Sequence, residues 1–203
     1  MKTPARALRP ALLACVLIAL SGCGASPPVR FFTLSSEAPP QAPVATDAAF
    51  SISVGPVTVP EIVDRPHLVL RTSPTQVEVA EQARWAAPLK VEIPRVIAAE
   101  LARLMPGASA ATSAQRAVRP PDYRVLVDIQ RFDSAPSAGA TIEATWTVRG
   151  PDGTLVAGRS VAAEPAGGGY DELVAAHSRA LSIVSRDIAA AIAKLRTTTP
   201  SRN

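Results

Sequence analysis

The 203-residue chain has two cysteines and two histidines, His67 and His177, too few soft donors for a zinc site at any usual spacing, so no metal or cofactor is assigned. Its formal net charge is +4, but Lys2, Arg6 and Arg9 supply three of the 21 basic charges with no acid among the first 22 residues. That leaves 18 basic against 17 acidic residues, no Lys/Arg cluster and only two tryptophans and two tyrosines for stacking, which sets aside a nucleic-acid partner.

The basic start leads into the apolar run Ala11 to Leu20, about ten residues and too short to cross a bilayer as a helix. Residues 1–22 read as an export signal. Leu20-Ser21-Gly22-Cys23 resembles the bacterial lipobox, which implies cleavage before Cys23 and acylation of that cysteine through a thioether and its amine. The alternative is ordinary secretory cleavage with Cys23 a chance thiol. Charge, apolar length, small residues and cysteine all fall in register for the lipoprotein reading, which is preferred. Three acyl chains at about 0.8 kcal/mol per buried methylene exceed the two-signal need for stable anchoring. Cys15 is lost with the signal, so the mature chain has no intramolecular disulfide. Gly24 stands where Gram-negative inner-membrane lipoproteins usually carry aspartate, and the expected location is the periplasmic side of the outer membrane.

Residues 23–49 are rich in Pro, Ala and Ser and read as a lipidated tether, interrupted by one short strand candidate at Arg30 to Leu34. Residues 50–196 are the expected single domain and 197–203 a disordered tail. Phe50 to Val54 alternates, and Val57 to Val59 resumes the pattern after Gly55-Pro56, which predicts a strand with a bulge. Leu68 to Arg71 and Gln76 to Ala80 flank a turn and predict a hairpin. Pro88 opens a helix whose apolar stripe is Leu89, Ile93, Val96, Ile97, Leu101 and Leu104, with Pro94 predicting a kink or a later start. Pro106 to Pro121 reads as a weakly structured link.

Tyr123 to Ile129 and Ile142 to Val148 alternate cleanly, and "RGPDGT" turns the second into a partner strand at Leu155 to Val161. After Gly167-Gly168-Gly169, read as a hinge rather than a phosphate loop, Asp171 and Glu172 open a long helix that Lys194 and Arg196 close. The fold class is α+β: a mostly antiparallel sheet covered by a kinked helix and a long C-terminal helix.

"VPEIVDRPHLVLR" places Asp64, Arg65, Pro66 and His67 together, which raises acid–base chemistry. Adjacent residues of an extended chain point to opposite faces, so a corner in which Asp64 and Arg65 bridge backbone groups and one another is preferred. His177 falls on the apolar stripe of the last helix and reads as a half-buried packing residue. Trp85 is weighed as a core plug or a contact anchor, with core preferred. No Gly-x-Ser-x-Gly elbow, His-Glu-x-x-His pair or phosphate loop is present, and no catalytic residue is assigned.

"FFTL", "VGPVTVPEIVDRPHLVLR", "RWAAPL", "DYRVLVDIQRFD" and "YDELVAAHSRALSIVSRDIAAAI", in that order, resemble the ABC-type transport auxiliary lipoproteins, the group containing paraquat-inducible protein C. The chain departs from the usual pattern at Ile62-Val63, where Tyr-Leu is common, and at Ala87, where an acid is common. The resemblance implies a non-catalytic outer-membrane lipoprotein serving an ABC transporter that moves lipids or hydrophobic compounds, with a mammalian-cell-entry (MCE) domain protein as partner. Asp64, Arg65, Pro66 and Trp85 are the candidate partner-contact or structural residues. A lipid-binding carrier and an envelope-anchored hydrolase are the alternatives, and a homo-oligomer stays open. Substitution Cys23→Ser should abolish incorporation of a palmitate analogue in metabolic labelling, because no other residue accepts the thioether; persistent label in the variant would refute the anchor.

Overall fold

The computed structural model describes residues 27–37, 50–115 and 119–198. Cys23, the signal at 1–22 and most of the expected tether and tail lie outside the described residues. The described residues form eight strands, β1 (Arg30–Phe32), β2 (Phe50–Thr58), β3 (His67–Ser73), β4 (Gln76–Trp85), β5 (Ala108–Thr112), β6 (Tyr123–Ala135), β7 (Gly139–Arg149) and β8 (Leu155–Glu164). Two helices, α1 (Leu89–Leu104) and α2 (Tyr170–Thr198), cover one face, so the domain is α+β.

β6 is the spine. Its whole length pairs antiparallel with β7, which pairs with β8. On its other edge β6 receives two strands in succession, both parallel: β2 along its first half and β3 at Leu70↔Ser134. The hairpin of β3 and β4 and the parallel addition of β1 to β4 extend the second half; β5 extends the first by pairing with β2. The sheet is therefore mixed, although its long ladders are the antiparallel ones. The expected bulge at Gly55-Pro56 appears as a register shift between Val54 and Val57, and buried positions pass from Val54 to Val57 across it. A second shift at Gln130 moves the inward parity of β6 from Ile129 to Phe132 and Ser134.

α1 begins at Leu89 behind Pro88, so its start is not postponed to Pro94, which lies inside it. Leu89, Ile93, Ile97 and Leu101 of α1 meet Leu181, Val184, Ile188 and Ile192 of α2 in the core above Val54, Val125 and Ile142. The outward face of the sheet carries an ionic ladder across four strands. Arg71 pairs with Asp133 (2.7 Å), Asp133 with Arg131 (2.5 Å), Arg131 with Glu143 (3.5 Å) and Glu143 with Arg159 (2.6 Å). Burial would raise the Asp133 carboxyl, but hydrogen bonds from Arg71 and Arg131 outweigh it and hold the group below its usual range.

Two expectations are corrected. The link at Pro106 to Pro121 contains β5, whose parallel pairing with β2 runs from Phe50↔Ala108 to Val54↔Thr112. Within the expected tether, residues 30–37 are part of the domain: Phe32 and Leu34 are buried. Glu92 of α1, itself buried, accepts hydrogen bonds from Thr33 Oγ1 (2.7 Å) and Leu34 N (3.1 Å). Ser35 N donates to Ser178 Oγ (3.1 Å) and Glu37 N to the buried Glu100. These bonds, charge-assisted at Glu92 and Glu100 of α1 and neutral at Ser178 of α2, clamp the segment across both helices.

β7 and β8 are fitted tightly at Trp146, whose indole N–H donates to Ser160 Oγ (2.9 Å); that hydroxyl donates to Asp187 of α2 (2.6 Å). Gly158 lies opposite Trp146, and a Cβ there would fall 2.3 Å from the ring. Gly158→Ala should lower the unfolding free energy in urea by roughly 1–3 kcal/mol through overpacking, whereas Gly168→Ala, with nothing within 4 Å of the added carbon, should change it little.

Candidate functional site

Between Thr58↔Asp128 of β2 and Leu70↔Ser134 of β3, the chain has more residues than β6 spans and must leave the sheet. It does so through the 3₁₀ turn Glu61–Val63, with Val63 buried and Asp64 N–H returned to Pro60 O and Glu61 O. Arg65 N–H then bonds Val63 O (2.8 Å), and the chain re-enters the sheet where Pro66 O accepts Trp85 N–H (2.7 Å). One residue on, Ala86 N–H bonds Phe32 O (2.7 Å), fixing the start of α1 against β1.

This corner and the segment before α1 enclose an open cavity of about 310 Å³, lined by Asp64, Arg65, Pro66, Trp85, Ala86, Ala87 and Pro88. Four of these, Asp64, Arg65, Pro66 and Trp85, are the residues singled out in the sequence, and the fold brings them together from positions twenty apart. Trp85 is 5% exposed and forms the floor, so it serves both as core residue and as cavity wall. The proline and alanine walls are apolar, and Asp64, Arg65 and Pro66 stand exposed at the mouth.

Asp64 and Arg65 do not bridge one another as expected. The Asp64 carboxylate pairs with Lys90 of α1 at 2.6 Å, and the Arg65 side chain makes no hydrogen bond or ion pair among the described residues. His67 is not brought to Asp64 either; its Nε2 faces Glu81 at 3.9 Å. The cavity lining holds no histidine, serine or cysteine. Lys90 was not recognised in the sequence, because nothing in a lysine on the polar face of a helix signals a partner 26 positions earlier.

Beneath the floor lies a buried aromatic stack. Trp85 meets Phe132 edge-on at 6.0 Å and His177 edge-on at 6.2 Å, while Phe132 and His177 stack in parallel at 4.0 Å. His177 is fully buried, not half-buried, and its Nε2 lies 2.7 Å from Ser134 Oγ, leaving Nδ1 without a partner among the described residues. Burial pushes the imidazole from its ordinary 6.5 down to about 3, against a small opposing pull from Asp133. The ring is thus neutral in the folded protein at neutral pH, as the apolar stack requires.

Above pH 6.5 folded and unfolded chains both hold His177 neutral. Below it the unfolded chain takes up a proton that the folded chain refuses until about pH 3, so stability falls as pH falls through that window. Unfolding free energy measured between pH 6.5 and 5 should decline less steeply in His177→Asn than in the natural protein, by up to about 1.4 kcal/mol per pH unit. Equal slopes would refute a neutral buried imidazole.

Among the described residues no helix is long and apolar enough to cross a membrane, and no group of three acidic, histidine or cysteine side chains is placed to hold a metal ion. No match was found among curated proteins. Two crystal structures share the fold. One, of an uncharacterized protein, superposes with a TM-score of 0.68 at 20% identity, over 82% of this chain and 99% of that chain. The other, of a Xanthomonas campestris protein assigned to the family model DUF330, gives 0.66 at 20% identity, over 84% of this chain and 100% of that one. Residues 32–189, from the clamped β1 through the cavity and most of α2, match the family model of the ABC-type transport auxiliary lipoprotein component, and the chain belongs to that family.

Proposed function

We propose that this auxiliary lipoprotein is a non-catalytic, outer-membrane, periplasm-facing adaptor that holds an MCE-domain protein of an ABC transport system for lipids or other hydrophobic compounds. The observation that carries the reading is the cavity itself. An apolar floor and walls of one-side-chain size, rimmed by Arg65 and by Asp64 in its pair with Lys90, have the anatomy of a pocket for a partner's anchor residue, with polar groups at its edge to set orientation. Gly24, in place of a retention aspartate, supports the outer-membrane destination.

Catalysis is disfavoured by the same geometry. A hydrolase needs Asp64, His67 and a nucleophile in one cleft, and here Lys90 takes the acid while Glu81 lies nearest the imidazole. A carrier needs unfilled apolar space, whereas Ile52, Leu68, Ile93, Ile97 and Leu181 pack with one another between sheet and helices. Ala86 is exposed at the cavity wall, so Ala86→Trp should fill it and reduce co-purification with the MCE-domain protein by roughly tenfold or more, about 1.4 kcal/mol, with thermal unfolding little changed. His67→Ala should leave folding, capture and complementation of an envelope-stress phenotype intact. A His67→Ala protein that folds and is captured yet fails to complement would replace the adaptor with an enzyme.

A further inference from the structure

β1 ends the sheet on the side opposite β8, and its residues alternate between two environments. Phe32 is buried against Tyr170, edge-on at 6.0 Å, whereas Phe31 is 66% exposed and the preceding Val29 38%. An aromatic ring left in water on a domain edge calls for a reason. Its neighbours supply one. Phe31 is registered with Arg84 of β4, and Arg84 with His67 of β3, so the three share the face turned away from the helices. Of the two arginines beside Phe31, Arg30 is neutralised by Asp171 at 2.6 Å. Arg84 has no carboxylate or other hydrogen-bond partner among the described residues, and its Nε is buried without one.

The third observation is chain length. Five residues, and so six chain steps, separate Cys23 from Val29, a reach of at most about 21 Å. Beyond Val29 the chain is clamped, through Glu92, Ser178 and Glu100, to the body of the domain. An acylated Cys23 therefore holds this edge, and not the β8 edge, close to the lipid headgroups.

We propose that the β1 edge is a second, non-covalent membrane contact: Phe31 and Val29 enter the headgroup layer of the bilayer that holds the acylated Cys23, and Arg84 takes a lipid phosphate. An aromatic ring suits that depth, and arginine's planar fork suits a phosphate group. The inference rests on the lipid anchor of the proposed function and adds an orientation to it. Two contacts, one covalent and one at β1, leave the domain a fixed attitude on the membrane rather than free rotation about a string.

The mature chain has no cysteine besides the acylated one, so Phe31→Cys introduces a single thiol for an environment-sensitive fluorophore, and Leu155→Cys, at the start of β8, gives the control. Each lipidated, labelled protein is reconstituted into phosphatidylethanolamine–phosphatidylglycerol vesicles, after mass spectrometry of Cys23. The label at 31 should shift to the blue, be quenched by brominated acyl chains and be shielded from iodide; the label at 155 should show none of these. Adding Arg84→Gln should restore part of the iodide access at 31, and an unchanged value would remove the arginine from the contact. With Cys23 acylated, a label at 31 as accessible as that at 155 would overturn the membrane contact alone, and shielding from iodide without quenching by brominated chains would replace the membrane with a protein. An unacylated Cys23 would overturn the anchor and the contact with it.

Discussion

Two parallel strands share one edge of β6, and most of what is particular to this domain follows from that. β7 occupies the other edge along its full length, so β2 and β3 must divide what remains. A chain that leaves an edge and rejoins it a few residues further on, in the same direction, has surplus length to fold outside the sheet. Here that surplus is the Glu61–Val63 turn and the Asp64-Arg65-Pro66 corner. The gap left beside the corner is filled from below by Trp85, whose backbone N–H is tied to Pro66 O. The cavity is thus a product of topology, and proline is well placed there because its fixed φ stiffens a segment that leaves the ladder.

The second constraint is the clamp on residues 33–37. Buried carboxylates are costly unless their lone pairs are filled. Glu92 accepts from Leu34 N–H and Thr33 Oγ1 of this segment and from Arg95 of its own helix, and Glu100 accepts from Glu37 N–H. The segment therefore completes the helix layer rather than decorating it, and the family match beginning at Phe32 agrees with that boundary. Removing it would take Leu34 out of the core and these hydrogen bonds from both acids.

Long-period features were legible in the sequence. The alternation at Tyr123–Ile129 and Ile142–Val148, the turn at Gly153 and the stripes of both helices all reappear, because one-sided burial writes its period directly into residue choice. β1 and β5 were harder for a physical reason. Arg30 to Leu34 was recognisable as a short strand candidate but not as part of the domain, and Ala108–Thr112, with its small side chains, carries too little apolar contrast to mark a face; the parallel pairing of both depends on partners far along the chain. The site was half legible: Asp64, Arg65, Pro66 and Trp85 stood out, but the Asp64–Lys90 pair and the Ser134–His177 contact join residues 26 and 43 positions apart. Pairings of that kind exist only once the sheet has formed. His177 itself was placed on the correct face of its helix; its full burial required knowing that the bulge at Gln130 turns Phe132 and Ser134 inward beneath it.

Clamp and cavity meet at one hydrogen bond. Phe32 O, on the strand nearest the lipidated end, accepts Ala86 N–H in the cavity wall, and Phe32↔Trp85 are registered neighbours. Between the anchor side of the domain and the proposed partner pocket there is thus no hinge. There is a strand, a ladder and a buried ring stack backed by His177. A rigid link of this kind cannot signal by bending, because a packed core resists continuous deformation. What it transmits is position. In the proposed adaptor, an anchor that fixes β1 also fixes the direction in which the Asp64–Lys90 pair faces, so attachment at one edge sets the attitude of the pocket at the other end of the ladder.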